Sequence, residues 1–356
     1  MTAESRTSRE EQQDRSRTQT QDRPRIQTQD RPPRLVYFNG EFVPENEARI
    51  SIFDSALMFG DMVFDMTRSF NKKQFMLRQH LERLYRGIKQ LRIPLELNID
   101  QMEEFVYRTM EANEPAFDPH DEHRLMINVT RGPLAMYKMV FDNKIEPTVV
   151  IADFPVKWTV ASLAHFYDDG IHAVTPSQRA VPSSLVDQRI KNRNRMHFIV
   201  ANLQVSMVDD PNAMALLLDP DGLIAEATGA NFFVVSGGKL LTPTGRNILR
   251  GTRRAYILDL ARRLGLDAVE TDIDLYDAYH ADEAFFTSTA FSMLPCTRLN
   301  HVDIGDGKMG PVFKRLIDAW SEEVGVDIIG QTKAFAAEVG DSLSGTNTYR
   351  FSDKKD

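Results

Sequence analysis

Between residues 171 and 300 the chain breaks into short β-type runs: "IHAVT", "AMALLLD", "LIAEAT", "NFFVVSGGKLLTP" and "EAFFTSTAF". Turn residues separate them, and few helical stretches intervene. Runs this short cannot build a core singly; they must pair into a barrel or a sandwich. Helical periodicity appears from about Lys191 to Met207, in "TRRAYILDLARRLG" and in "GPVFKRLIDAWSEEVG". The pattern predicts a larger domain over residues 169–330, organised around a β-barrel-like core.

The preceding text has a different rhythm. "LVYFNGEFVP" places two β-type runs around Asn-Gly, the strongest short hairpin signal. "MVFDMTRSF" alternates, with Phe64, Met66 and Arg68 on one face and Asp65 and Thr67 on the other. Leu77, Leu81, Leu84, Ile88 and Leu91 recur at helical spacing until Pro94. "RLMINVTRG" and "PTVVIADFP" read as further strands. A small α+β domain is expected over residues 35–153, joined to the larger one by a connector at 154–168. The fold class is therefore α+β with two domains. Residues 1–34 are rich in Arg, Gln, Asp, Thr and Pro and carry almost no large apolar side chain. Such text cannot bury enough surface to offset chain entropy, so a disordered tail is expected there. Residues 331–356 read as a C-terminal extension.

Charge limits the function classes. The net charge is −8, so no general attraction to nucleic acid or to an anionic membrane is expected, and any anion site must be local. No apolar run reaches membrane-spanning length, and the first residues lack a signal peptide's apolar core. One cysteine, Cys296, excludes an intrachain disulfide. A cytoplasmic location is the default expectation. No metal ligand set is assigned.

Against this acidic background, Arg189, Lys191, Arg193 and Arg195 fall on alternate residues of "LVDQRIKNRNRMHF". Lys191 is read as the start of an amphipathic helix. Glu226 sits in the apolar run "GLIAEATGANFF", where a carboxylate needs a partner. "ILRGTRR" is a small-residue loop leading into a helix, whose first amides can hold an anion. "TSTAF" is a second such loop, and Arg83 lies on a helix in "HLERL". A lysine, a buried carboxylate, an arginine and a helix N-terminus are what pyridoxal phosphate would need. Each also has an ordinary reading: a solvated lysine, a salt-bridge partner, a surface arginine, a common turn. Composition and periodicity do not choose between them.

Order and spacing do. "SIFDSALMFGDMVFDMTRSF", "HLERL", "VVIADFP", "RIKNRNRMHFIVAN", "LLLDPDGLIAEATGANFFVV", "GKLLTPTGRNILRGTRR", "DEAFFTSTAFSMLP" and "GPVFKRL" span about residues 36–320. Together they resemble the fold-type IV pyridoxal-phosphate enzymes, the class of branched-chain aminotransferases, D-amino-acid aminotransferases and aminodeoxychorismate lyases. The resemblance implies that Lys191 is the Schiff-base lysine and the proton carrier, and that Glu226 partners the pyridine nitrogen. It implies phosphate contacts from Arg83, from Ser288 and Thr289, and from the loop of Gly251, Thr252 and Arg253 through its amides. Leu249 would pack on the ring and Asn231 would line the pocket. Phe64, Arg68, Arg124, Met126 and Ala290 match substrate positions, with Arg68 facing a substrate carboxylate. A homodimer is implied as well.

The chain departs from the family text at several points. The loop reads Gly251, Thr252, Arg253 where glycine, aliphatic, threonine is usual. Met196 stands where many members carry a tyrosine, and Asp65 where glutamate is usual. Arg124 falls at a tyrosine position and Met126 at an arginine position. The leading expectation is ping-pong transamination between a branched-chain or other apolar L-amino acid and a 2-oxo acid. D-amino-acid or (R)-amine transfer and lyase chemistry remain as alternatives. A nucleic-acid or partner-binding protein using "RIKNRNR", and a cofactor-binding relic, are the readings from other classes. For Arg189, Arg193 and Arg195 the simpler expectation is pairing with acids elsewhere, although neighbouring cations would also lower the pKa of Lys191.

Overall fold

In the computed structural model, which describes residues 31–340, two sheets organise the chain. The first has six strands: β1 (Leu35–Phe38), β2 (Glu41–Pro44), β3 (Met62–Phe70), β4 (Lys73–Gln74), β5 (His123–Thr130) and β6 (Val149–Pro155). Their order across the sheet is β2-β1-β6-β5-β3-β4. Asn39 and Gly40 turn β1 into β2 with φ of 45° and 102°, the left-handed pair that a two-residue hairpin demands.

The alternation in β3 and β5 divides this sheet into two faces. Val63, Asp65 and Thr67 stand opposite Val129, Ile127 and Leu125, on one side. That side packs beneath the helices Leu77–Leu91 and Ile99–Asn113, where Leu81, Leu84, Ile88, Met102 and Val106 complete a core. Phe64, Met66 and Arg68 stand opposite Asn128, Met126 and Arg124 on the other. A one-residue slip would exchange the two sets, so the buried leucines fix which side chains point away from the helices.

The second sheet closes. Its path runs through β7 (Ile171–Val174), β8 (Ala213–Leu218), β9 (Ile224–Ala227), β10 (Asn231–Ser236), β13 (Glu283–Ser288) and β14 (Ser292–Leu299). Asn231 pairs with Glu226 across the seam between β10 and β9, so six strands form a barrel. Phe232, Phe233, Phe285 and Phe286 belong to the core of this half. Two further strands, β11 (Lys239–Pro243) and β12 (Asp267–Thr271), extend from β10 beyond the closed ring. The helices Thr252–Arg263 and Pro311–Val324 join the same core through Tyr256, Phe313 and Trp320.

Two elements differ from expectation. β14 has no counterpart among the runs read from the sequence: a proline such as Pro295 ordinarily interrupts a strand, yet the strand continues through it opposite Phe285. The helix expected from Lys191 starts at Met196. Lys191 and Asn192 instead lie against β3: Phe64 N–H donates to the Lys191 carbonyl at 2.9 Å, and Asn192 pairs with Val63. Past Asn192 the chain bends, with Arg195 N–H donating to the Arg193 carbonyl at 2.9 Å, and Lys191, Arg193 and Arg195 all come over the same ring, Phe64.

The tail expected over residues 1–34 falls outside the described residues up to residue 30. Of the extension expected from 331, residues 331–339 belong to the helix Ile328–Val339. Its Phe335 packs with Val156, Val160 and Ala161; residues 341–356 lie outside the description.

Candidate active site

A cavity opens where the Lys191 segment passes between β3 and the barrel seam. Lys191, Arg83, Glu226, Asn231, Leu249, Gly251, Thr252, Arg253, Ser288 and Thr289 all line it. Glu226, Asn231 and Ser288 come from barrel strands, Thr252 and Arg253 from the start of a helix, and Arg83 from the middle of the helix Leu77–Leu91.

Lys191 is held by its own backbone bond to β3. Its Nζ lies 4.8 Å from the centroid of Phe64, with the Arg193 and Arg195 guanidinium carbons at 3.7 and 4.9 Å from the same ring. Burial of the amine, then Arg195 and Arg83, drive the Lys191 pKa well below its usual value. Of the flanking cations, Arg189 pairs with Asp187 at 2.7 Å, as expected. Arg193 does otherwise: it reaches Met126 Sδ at 2.9 Å and Asn128 Oδ1 at 3.2 Å.

Glu226, 6% exposed, ends on amides. Leu249 N–H donates to Oε1 at 3.1 Å and the Asn231 amide to Oε2 at 3.2 Å. Burial pushes its pKa up to about 7 against the opposing pull of the Leu249 amide, Arg195 and Lys191. Asn231 also donates to the Leu249 carbonyl at 3.0 Å, which fixes that loop against the seam. Gly251 follows, and a Cβ there would collide with Asn231 Oδ1. Gly251 caps the helix Thr252–Arg263 with no side-chain hydrogen bond to its first turn, so the leading amides face the cavity as a partial positive charge.

Arg83 sits at the same end. Its Nε and Nη2 donate to both oxygens of Asp65 at 3.0 and 2.8 Å, and Nη1 reaches the Arg250 carbonyl at 3.3 Å. Asp65 Oδ1 also takes His80 Nδ1 at 2.8 Å. Burial lowers the His80 pKa to about 4, so the ring is neutral at pH 7 and Nδ1–H is the donor. Nε2 is then left to accept the Thr252 hydroxyl at 3.1 Å. Sequence reasoning noted Asp65 without a role and missed His80. The spacing of His80 and Arg83, three apart on one helix face, is the signal that could have found them.

The substrate candidates lie on the β3–β5 face beyond the cavity wall. Phe64 is under the three cations. Met66 and Met126 are neighbours across the strands, and Arg124 reaches Met66 Sδ at 3.7 Å. Arg68 is 1% exposed and is spent on protein acceptors: Ala290 carbonyl at 3.1 Å, Gln331 Oε1 at 2.9 Å and Ser69 carbonyl at 3.3 Å. Its direct reach is to the Ala290 loop.

A cavity with a depressed lysine at its centre, a buried carboxylate at one end and an arginine with open helix amides at the other suits a phosphorylated aromatic aldehyde. Comparison with known proteins agrees. The sequence model of the amino-transferase class IV family matches residues 62–299. The chain is 32% identical to a putative branched-chain-amino-acid aminotransferase of Methanocaldococcus jannaschii, over 81% of this chain and 95% of that one. It is 28% identical to the branched-chain-amino-acid aminotransferase of Escherichia coli K12, over 80% and 91%. Among solved structures, the T.th. branched-chain amino acid aminotransferase complexed with N-(5'-phosphopyridoxyl)-L-glutamate superposes with a TM-score of 0.71 at 26% identity, covering 82% of this chain and 94% of that one. The PLP-form enzyme of Thermobaculum terrenum gives 0.70 at 25% identity, covering 87% and 98%. The fold is thus shared with these solved aminotransferases, and this chain belongs to the class IV aminotransferase family.

Proposed function

We propose that the protein is a pyridoxal-phosphate-dependent aminotransferase that exchanges an amino group between a branched-chain or other apolar L-amino acid and a 2-oxo acid. The observation that carries this reading is Lys191, pinned to β3 with its amine pKa driven well below the usual value by burial in the cavity that Glu226 and Arg83 also line. Pyridoxal phosphate, when bound, supplies an aldehyde that captures amines covalently and a pyridine ring that withdraws electrons. The remaining work belongs to the chain. Burial favours the neutral form of the Lys191 amine, so Nζ could take a proton from the substrate's α-carbon and return one to the carbon on the far side of the amino nitrogen. Glu226 would hold the ring nitrogen, and its raised affinity for a proton fits it to share one there. Asn231 and Leu249 hold that carboxylate in place. Arg83, the amides of Thr252 and Arg253, and the Ser288–Thr289 turn take the phosphate.

Phe64, Met66 and Met126 offer an apolar wall, which supports a donor with an aliphatic side chain. Arg124 and Arg193 are the cations beside that wall for a substrate carboxylate, while Arg68 steadies the Ala290 loop that borders the site. The same reading includes a homodimer. Leu57 and Phe59, each 67% exposed, and Met136 and Met139, at 75% and 76%, give an apolar surface that a second copy can cover. No described helix is long and apolar enough to cross a membrane; with the free Cys296 buried, a cytoplasmic enzyme is the reading we favour.

The test is spectroscopic. Protein supplied with pyridoxal phosphate should show a visible absorption band that Lys191→Ala abolishes. L-leucine, without an acceptor, should bleach it, and 2-oxoglutarate should restore it. Bleaching by D-alanine or (R)-1-phenylethylamine alone would overturn the substrate class and leave the transaminase. Failure of any band to form would overturn the whole reading.

A further inference from the structure

Arg253 is the second residue of the helix Thr252–Arg263 and lines the cavity with Arg83, Thr252 and Thr289. It is 2% exposed. A guanidinium keeps its charge near neutral pH, so burying one calls for a counter-charge or a full set of acceptors. Among the described residues Arg253 has neither. Its Nη1 donates to the Phe75 carbonyl at 3.3 Å, but Nε and Nη2 are buried without a hydrogen-bond partner. The rings of Phe75 and Trp320 lie 4.5 and 5.8 Å from its guanidinium carbon. Such contacts stabilise a desolvated guanidinium by less than burial of its charge costs.

Neighbouring charges do not close the gap. After burial, Arg68 and Arg83 are the largest influences on Arg253, and both are cations. Asp65 is the carboxylate within influence, and it already serves Arg83 and His80. Other buried arginines are treated differently. Arg83 has Asp65; Arg254 pairs with Glu270 at 2.5 Å and donates to the Pro243 carbonyl at 2.7 Å; Arg68 has its three acceptors.

We infer that the orphaned donors of the Arg253 side chain serve a phosphate monoester dianion, making Arg253 a second guanidinium, beside Arg83, in the cofactor's phosphate cradle. This rests on the cofactor reading proposed above and adds to it. The family pattern assigns this position only a backbone amide and a hydroxyl, and here the Thr252 hydroxyl is engaged by His80. One charged side chain then has opposite effects in two states. It burdens the protein without phosphate and strengthens the protein with it.

The experiment uses full-length protein freed of cofactor, as wild type, Arg253→Met and Arg253→Lys. Three quantities are read: dissociation constants for pyridoxal phosphate and for pyridoxal, and the thermal midpoint with and without inorganic phosphate. Arg253→Met should raise the midpoint of the cofactor-free protein, because an apolar chain of similar length replaces an uncompensated charge. It should weaken pyridoxal phosphate about 10- to 100-fold, leave pyridoxal within about twofold, and reduce the stabilisation by inorganic phosphate. A lowered midpoint with an unchanged preference for pyridoxal phosphate over pyridoxal would overturn the inference and make Arg253 a packing residue of the Phe75–Trp320 cluster. Should Arg253→Met not fold, Arg253→Lys decides: a single ammonium in place of the fork should weaken the preference for the phosphorylated form, and an unchanged preference overturns the inference. If the wild type itself does not distinguish the two aldehydes, the cofactor reading fails and this inference with it.

Discussion

Two sets of buried charges meet at the cavity that Arg83, Lys191, Glu226 and Arg253 line, and they are built on different rules. In the Asp65–His80–Arg83 cluster each partner is accounted for: one carboxylate holds the guanidinium on both oxygens and the imidazole on one, and His80 passes a bond on to Thr252. In the Lys191–Glu226–Arg253 group the charges are not matched among the described residues. Glu226 is hydrogen-bonded by amides, Lys191 is over a phenylalanine ring, and Arg253 has orphaned donors. The consequence is visible in the ionisations. Asp65 is held far below the ordinary carboxylate range, because Arg83 and His80 outweigh its burial. Glu226, equally enclosed, is pushed up to about 7. A fold that settles its charges in one place and leaves them open in the next is marking where a charged ligand belongs.

The sharpest break of that contrast is Lys191. Replacing it with alanine or methionine should lower transamination by at least about 10⁴-fold, since it removes both the covalent anchor and the proton carrier. Circular dichroism should stay unchanged, because the bond from Phe64 to residue 191 uses the backbone. Retention of more than a trace of steady-state activity would move the chemistry to another group.

Removing a charge from the matched cluster should act on folding. Asp65→Asn leaves Arg83 buried with a weakened partner, and breaking such a pair costs about 3–5 kcal/mol; urea unfolding of the cofactor-free protein measures it. The same cluster predicts an acid limb. The His80 pKa, about 4 when folded, lies below its ordinary 6.5. Between those values the unfolded chain binds a proton that the folded chain refuses, so stability falls as pH drops through that window. Asp65 adds loss at still lower pH, because its carboxylate is favoured in the folded state. His80→Asn should flatten the limb between about pH 6.5 and pH 4.

Glu226, in the unmatched group, should give the opposite sign. The folded Glu226 pKa of about 7 exceeds its ordinary 4.5. In that interval the folded state binds more proton than the unfolded one, so this group's contribution to stability falls as pH rises and is lowest above about 7. Glu226→Gln should therefore stabilise the cofactor-free protein relative to wild type at about pH 8, and not at about pH 4, while lowering turnover by about 10²-fold or more through loss of the ring-nitrogen partner. Paired unfolding curves at the two pH values separate this from a packing defect, which would destabilise at both.

These contrasts were only partly legible in the chain. Lys191, Arg83, Glu226, Asn231 and Gly251 were recognisable because their local text is distinctive and ordered, and the fold brings all five to one cavity wall. The barrel was legible from its short runs, except at β14, where Pro295 reads as a stop in spite of the tertiary pairing that carries the strand through. The segment at 190–195 was misread because its conformation is set by β3, far away along the chain, and no local period encodes that pairing. Arg68 is the clearest case of a side chain whose company could not be inferred: its partner Gln331 lies 263 residues along the chain. Local pattern specifies elements and faces, while the company of a buried charge depends on which distant elements meet.

The smallest expected effect concerns the wall next to the unmatched charges. Met126 stands across from Met66 and touches Arg193 through sulfur. Truncation to alanine removes apolar contact with an aliphatic donor side chain, and a pocket contact of this size discriminates by about 1–3 kcal/mol, or roughly 5- to 100-fold in kcat/KM. The loss should appear mainly in KM for L-leucine and be much smaller for L-alanine, whose methyl group reaches less of the wall. It also frees the Arg193 guanidinium from one of its neighbours, so a donor with a distal carboxylate, such as L-glutamate, should lose less than leucine does. Equal losses for leucine, alanine and glutamate would mean that Met126 positions the lysine loop through Arg193 and does not read the substrate, and the apolar-donor assignment would then lose its main structural support.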